Sequence, residues 1–387
     1  MSKFQPKQYH DTNISVLIPD GESHLLVYTI NCLSSVKGIC IYVMSSIKWN
    51  AHKFSRHING FTYYPKTGDD QKWLNYITLE VEKNQIDVVM PIFEIGIRRM
   101  IKNRHLLDSN IKLVPLPDLH TFSVAINKWK LVDHCQSNDI PIPDSYLLNP
   151  GQPIKDVIPS DIVFPLLIKP LEGFGGGMGI AVFNSIEELD SYTRNVKYSL
   201  LIQRFIHGYD IDCSVLVKDG EITAHTVQQG NLKGKTPFVP HVGLEFKPNQ
   251  RLFKVVEDLM KSLRWNGIAH LDMRYDQERD CYVIIEINPR CWAAMDASCL
   301  MGINFPYLSV LQVTSSLSLD VATYREEHYL NLKGVVKSIK KNVLFIFKWK
   351  FILNNTQFRF VLLDPVPTLY KFIDRTKNII LKRMQGR

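Results

Sequence analysis

No apolar run in this 387-residue chain approaches the ~20 residues needed to cross a bilayer, so no spanning helix is expected. The start, Met1 to His10, has no apolar stretch of the kind that directs secretion. The seven cysteines (Cys32, Cys40, Cys135, Cys213, Cys281, Cys291, Cys299) form no close pairs with metal-ligand spacing, and their number is odd. They predict reduced thiols in a cytoplasmic protein, several of them in core strands. Acidic residues run short in one place: Asn331 to Arg387 hold 13 Lys and Arg against only Asp364 and Asp374, leaving 33 basic and 36 acidic groups in the first 330 residues. The net charge of +8 therefore resides in the tail, and no nucleic-acid partner is expected for the body. Two phosphate fingerprints are also missing. The turn after the first apolar run lacks G-x-G-x-x-G, and the later glycine cluster fails it because the last position falls on Met178 or Ile180. Gly234-Lys235-Thr236 resembles the end of a P-loop, but the first glycine would have to stand at Gln229.

What is present is ample core: 45% of residues are hydrophobic, enough for two or three domains. Up to residue 118, short β-rich runs (Ile14–Ile18, Ile39–Met44, Ile86–Met90, Lys112–Pro115) alternate with helical stretches, the first over Ser23–Val36. That alternation predicts βαβ units and a parallel sheet covered on both faces. From about residue 119 the pattern changes. Asn127 opens a helix and Ser185-Ile-Glu-Glu188 is a capping box. Asp219-Gly220 marks a hairpin turn, and Pro248–Arg264 places Leu252, Val255, Val256, Leu259 and Leu263 on one helical stripe. Gly267–Tyr275 and Cys281–Ile287 form a last hairpin, so this half reads as mixed α+β with antiparallel pairs. The expected division is an α/β domain over 1–118, an α+β domain over 119–316 in two subdomains (119–207 and 208–316), and a basic extension over 317–387.

The chemistry-bearing residues lie between Phe164 and Arg290. Phe164-Pro-Leu-Leu-Ile-Lys169-Pro delivers a lysine at the end of an apolar strand, beside Gly173-Phe-Gly-Gly-Gly-Met-Gly179. Glycine at 173, 175, 176, 177 and 179 costs backbone entropy, which suits a loop whose amides wrap phosphate oxygens; a plain surface turn is the alternative. A lysine on an apolar strand needs a partner, for which phosphate is one choice. Asp272 falls on one strand of the final hairpin, and Glu286 and Asn288 fall on the other. Strand periodicity puts Glu286 and Asn288 on one face, making a hard-oxygen set suited to Mg²⁺. Arg290 is either their ion-pair partner or a grip for an acyl-phosphate. His270 reads as a substrate contact or a structural histidine, and Cys291 as a buried thiol before a nucleophile. No Ser/His/Asp or Cys/His arrangement is legible. Weaker substrate candidates are Lys233, Lys235 and His241 in the loop over 228–241. Pro19-Asp-Gly-Glu-Ser-His24 and Glu94 also qualify, placed after strands where parallel sheets gather ligands.

The ordered series Lys128, Lys169-Pro, glycine loop, Gln203-Arg-Phe-Ile206-x-Gly208-x-Asp210, Asp272 and Glu286-x-Asn288-Pro-Arg290 resembles the ATP-grasp superfamily. The likeness covers about residues 1–316. Within the superfamily it is to carboxylate–amine ligases of the D-alanine–D-alanine ligase and carbamoyl-phosphate synthase type. The resemblance implies a pre-ATP-grasp α/β domain, a two-subdomain ATP-grasp domain, and an ADP-forming ligase that activates a carboxylate as acyl-phosphate and couples it to an amine. It implies that Lys128 and Lys169 hold the ATP phosphates, and that Gly175, Gly176, Gly177 and Gly179 belong to a flap over them. Gln203 would read the adenine amino group, the Arg204–Phe205–Ile206 backbone would meet the purine edge, and Asp210 would hold the ribose. Asp272, Glu286 and Asn288 would bind Mg²⁺, with Mn²⁺ as the alternative, and Arg290 and Lys169 would act on the transferring phosphoryl group. Two positions depart from the pattern: Gln203 stands where many relatives carry glutamate, and Asp210 is a shortened glutamate. Val16 to His24 resembles carbamoyl-phosphate-synthase-like enzymes of bacterial cell-surface polysaccharide assembly. Another phosphoryl-transfer enzyme on this scaffold, such as a carboxylase, and a silent ATP-binding regulator are the other readings.

The tail stands apart. If Val343–Leu353 is extended, Phe345, Phe347, Trp349 and Phe351 share one face and Lys348 and Lys350 the other. Lys371–Arg387 reads as a basic amphipathic helix. Both suit peripheral contact with the inner membrane face, or packing on the body.

Overall fold

The computed structural model describes residues 13–173, 178–194, 196–234, 240–315 and 323–385, with side chains up to 376. Gly175, Gly176, Gly177 and Lys235 lie outside the described residues. Two compact units divide the chain, residues 1–116 with 290–387, and residues 117–289.

The first unit is built on β1 (Ile14–Ile18), β2 (Ile39–Ser45), β3 (Gly60–Tyr63), β4 (Val88–Val89) and β5 (Lys112–Leu113) in the order β3-β2-β1-β4-β5. Every pairing is parallel, as the strand–helix alternation predicts. Leu17, Met44, Trp73, Leu74, Ile77 and Val89 are among the residues that close one core on this sheet. The first helix is shorter than its sequence pattern, Leu26–Leu33, because Ser23 and Leu25 make turn hydrogen bonds ahead of it. Residues from Arg290 onward join this unit rather than the one that precedes them. The Cys291 amide donates to the Ile92 carbonyl at 3.2 Å, and Asn304 Nδ2 donates to the Cys32 carbonyl at 2.7 Å.

Over Val343–Asn354 the tail takes a helical path, so the face that an extended segment would give Phe345, Phe347, Trp349 and Phe351 does not form. Asn342 caps a 3₁₀ turn over Val343–Phe347, accepting from the Leu344 amide, and helix Trp349–Asn354 follows. Phe345 and Phe351 meet edge-on at 5.9 Å, a contact between successive turns that the helical path brings about. The last helix, Pro365–Gln385, starts earlier than the basic pattern suggested.

The second unit carries two sheets. β6 (Ser145–Leu148), β7 (Leu166–Pro170), β8 (Ala181–Phe183) and β9 (Leu200–Arg204) form an antiparallel sheet in the order β6-β9-β7-β8. The other sheet contains β10 (Gly208–Lys218), β11 (Glu221–Leu232), β12 (Gly243–Phe246), β13 (Gly267–Asp276) and β14 (Cys281–Asn288), running β14-β13-β10-β11-β12. Asp219 and Gly220 turn the β10–β11 hairpin with φ of 51° and 86°, the pair of positive values that such a two-residue turn needs. Helix Gln250–Ser262 starts at Asn249, whose side chain accepts from the Leu252 amide, and it buries Leu252, Val256, Leu259 and Met260 against the second sheet. Arg279 in the β13–β14 turn pairs with Asp144 at the entry to β6 at 2.5 Å, linking the two sheets.

Candidate active site

Six sequence-predicted residues, Lys128, Lys169, Gln203, Asp272, Glu286 and Asn288, converge within the second unit. Asn127 caps helix Lys128–Ser137, accepting from the Trp129 and Lys130 amides, and so places Lys128 at the helix start. Lys128 Nζ lies 3.3 Å from Glu286 Oε2. Lys169, on β7, is 4% exposed and donates to Gln203 Oε1 at 2.7 Å. In the antiparallel register Lys169 faces Leu201 while Gln203 faces Leu167, so the two side chains are diagonal neighbours on one sheet face. Gln203 is itself held, since its Nε2 donates to Ser145 Oγ at 2.9 Å. Burial lowers the Lys169 pKa to about 8; Glu286 and Asp272 draw it back up, and Lys128 and Arg274 push it further down.

The acidic side of the site is set by the β13–β14 register. Asp272 stands opposite Glu286, and His270 opposite Asn288, with a bulge following Asp272. Two carboxylates directly opposite repel. Burial, reinforced by Asp272, raises the Glu286 pKa, while Lys128 and Lys169 oppose the shift. Asn288 Nδ2 bridges them, donating to Asp272 Oδ2 and Glu286 Oε1 at 3.2 Å each. Three side chains rich in hard oxygen, gathered on facing strands beside Lys128, fit Mg²⁺ or Mn²⁺.

A polar chain behind this cluster was only partly legible. Thr226 donates to Gln228, Gln228 to Ser214, and Ser214 shares a hydrogen bond with His270 Nδ1 at 3.0 Å. His270 Nε2 lies 3.2 Å from Asp272 Oδ1. Asp212, opposite Asp272 across β10–β13, is the residue the sequence reading overlooked. Its pKa is raised to about 7 by burial and by Asp272, and its carboxylate groups with His270 and Asp272 within 4.8 Å, close enough to share a cation. The alternation of Ile211, Cys213 and Val215 into the core was the available signal, because it sends Asp212 and Ser214 to the other face.

The expected nucleotide-edge residues are engaged with the protein. Asp210 pairs with Arg274 and lies 3.6 Å from His241, and the His241 hydrogen bond is the largest of the effects that lower its pKa. Arg274 also donates to the Ile206 carbonyl at 2.8 Å and the Gly208 carbonyl at 3.2 Å. The Arg204 and Phe205 amides donate to the Asp144 and Pro165 carbonyls, and the Arg204 guanidinium pairs with Asp276 and Glu278. Gly179, with φ of 77°, packs so closely that a Cβ there would come within 2.8 Å of Pro170.

In the first unit, Arg290 Nε donates to Glu94 Oε1 at 2.9 Å, so Glu94 is its ion-pair partner there. Asp20 does a structural task. It accepts from the Ile92 amide at 3.0 Å and the Phe93 amide at 2.8 Å, tying the end of β1 to the segment after β4. Cys291 is 1% exposed and burial pushes its thiol up to about 12, which fits a buried thiol rather than a nucleophile.

Residues 197–333 match a family model described as "ATP-grasp in the biosynthetic pathway with Ter operon". The chain is 23% identical over 212 residues to a D-aspartate ligase of Enterococcus faecium, covering 50% of each protein. It is 25% identical over 194 residues to a D-alanine–D-alanine ligase of Buchnera aphidicola, covering 47% of this chain and 56% of that one. It thus spans about half the length of these curated relatives. Its fold is similar to that of N5-carboxyaminoimidazole synthetase from Staphylococcus aureus complexed with ADP. That match has a TM-score of 0.64 at 12% identity and covers 86% of this chain and 85% of that one.

Proposed function

We propose that this ATP-grasp protein is an ADP-forming ligase that activates a carboxylate with ATP and joins it to an amine. The observation that carries the reading is Lys169, a buried cation whose hydrogen-bond acceptor is the neutral Gln203, in the same unit as the gathered Asp272, Glu286 and Asn288. A buried ammonium without an anionic hydrogen-bond partner is poised for phosphate. In this proposal Lys128 and Lys169 hold the polyphosphate, and Asp272, Glu286 and Asn288 hold Mg²⁺, or Mn²⁺ in its place. Bound Mg²⁺ would neutralise charge on the phosphate oxygens, which phosphoryl transfer needs more than covalent catalysis. Gly175, Gly176, Gly177 and Gly179 would cover the phosphates, excluding water so that the acyl-phosphate is captured rather than hydrolysed. Gln203, the Arg204–Ile206 backbone and Asp210 are assigned to the nucleoside. For Asp210 that role requires exchanging Arg274 or His241 for ribose hydroxyls. Arg290 is assigned to the transferring phosphoryl group or the substrate carboxylate.

The reaction balances as two displacements. A carboxylate oxygen attacks the γ-phosphorus and ADP leaves; the amine then attacks the acyl carbon, phosphate leaves, and the amine gives up a proton. Two relatives are named for the amino acids they ligate, so amino acids head the substrates proposed, with hydroxy acids and sugar acids next. The resemblance of Val16–His24 favours envelope polysaccharide assembly as the pathway. A silent ATP-binding regulator is disfavoured because binding alone does not require a complete metal set.

The test is ADP release by the purified full chain with Mg²⁺ across a panel of amino acids, hydroxy acids and sugar acids paired with amines. Stimulation by one pair is expected. Calorimetry showing no ATP binding in the presence of Mg²⁺ would overturn the proposal.

A further inference from the structure

Among the described residues, 28 large hydrophobic side chains are exposed, and 13 of them fall between residues 336 and 373. That is a concentration well above the scatter normal for a surface. The final helix shows how it arises. One side packs inward: Tyr370 meets Phe54 at 5.2 Å, Pro367 is buried, and Lys371 Nζ lies 2.9 Å from His52 Nε2. Val366, Leu369, Phe372 and Ile373 repeat at helical spacing on the opposite side and are 48 to 69% exposed. An amphipathic helix thus turns its apolar stripe to water. The 3₁₀ turn does the same, because only Phe345 packs against Phe351, while Leu344 and Phe347 are 67 and 74% exposed and Trp349 beside them is 59% exposed.

The charge around these residues decides the partner. Between 331 and 376 stand nine Lys and Arg against Asp364 and Asp374. Asp364 is taken up by Ser55, whose Oγ donates to it at 2.5 Å. A second copy of the same surface would bring like charge against like. An anionic bilayer instead accepts both components, with apolar side chains at the acyl boundary and lysines at the headgroups. No helix among the described residues is long and apolar enough to cross a membrane, which fits lying on the surface.

We propose that the 3₁₀ turn Val343–Phe347, Trp349 and the exposed stripe of helix Pro365–Gln385 dock this protein on an anionic lipid surface. The inference stands independently of the ligase reading. The test is sedimentation of the full chain with vesicles of phosphatidylcholine alone or mixed with phosphatidylglycerol. Binding to the mixed vesicles is expected, about tenfold weaker without the anionic lipid and reduced by raised salt. The double variants Phe347→Glu with Trp349→Glu, and Leu369→Glu with Phe372→Glu, should each lower binding by about tenfold or more. They should leave the melting temperature unchanged, since these side chains make little of the core. A readout free of these variants is quenching of Trp349 fluorescence by brominated lipid, with Trp349→Phe as the reference. No sedimentation, equal binding to neutral vesicles, or no quenching would each overturn the proposal. So would self-association abolished by the same variants without lipid binding, or an acidic protein that competes while lipid does not.

Discussion

Lys169 donates to Gln203 at 2.7 Å, so a lysine 4% exposed rests on an acceptor that carries no charge. Its ammonium is therefore costly in the free protein and available to an incoming anion. With the folded pKa lowered to about 8 from 10.5, the unfolded chain binds more protons between those values, and stability rises with pH across that window. Lys169→Met should therefore be more stable than the parent below pH 8, by up to about 3 kcal/mol, with the difference vanishing near pH 10.5. It should release no ADP. Urea unfolding at pH 7 and pH 10 checks the first part and a coupled ADP assay the second.

The same pair predicts the alkaline limb of activity. ADP release should fall as pH rises through about 8, because a neutral amine no longer attracts phosphate. Gln203→Glu places a carboxylate against the ammonium and should move that limb upward, while weakening nucleotide binding by satisfying Lys169 in advance. A profile of kcat/KM against pH that is identical in the two proteins would remove Lys169 as the titrating group.

Asp272 and Glu286 face each other across the β13–β14 ladder, and burial, reinforced by the Asp272 charge, raises the pKa of Glu286. A raised carboxyl pKa gives stability that is present at low pH and lost as pH rises through the folded value. Glu286→Gln should accordingly melt higher than the parent at neutral pH in chelator, and Mg²⁺ should narrow the gap by stabilising only the parent. The variant should release no ADP. Asn288→Ala should raise the Mg²⁺ concentration needed for ADP release by about tenfold or more. Thermal melts with and without Mg²⁺, and titration of activity with Mg²⁺, read these outcomes.

Gly208 opens β10 with φ of 155°, and a Cβ there would fall 1.8 Å from the Tyr275 carbonyl oxygen. Gly208→Ala should cost at least about 1–3 kcal/mol from the backbone conformation alone. Because Arg274 holds the Ile206 and Gly208 carbonyls and pairs with Asp210, the loss should extend to nucleotide affinity. Denaturant unfolding and ATP calorimetry on this variant check both effects.

Several features follow from the order of residues alone. The parallel first sheet, the helix starts at Asn127 and Ser185, the Asp219-Gly220 turn, and the sharing of one face by Glu286 and Asn288 are set by neighbours a few positions apart. Alternation and capping are local, and local rules can be read in one dimension. The tail shows where such rules compete. Period-two spacing of Phe345, Phe347, Trp349 and Phe351 is compatible with an extended segment, yet the Asn342 cap and the Phe345–Phe351 contact accompany a helical path. Pairings across long stretches of chain were not legible: Gln203 beside Lys169, Asp212 opposite Asp272, Arg274 against Asp210, and Glu94 with Arg290. Strand register and sheet order choose those partners, and both are settled by burial of whole faces against one another. The sequence by itself determined which groups this protein can bring to phosphate and metal; only the tertiary structure decided which neighbour shifts each pKa and which side chain each cation meets.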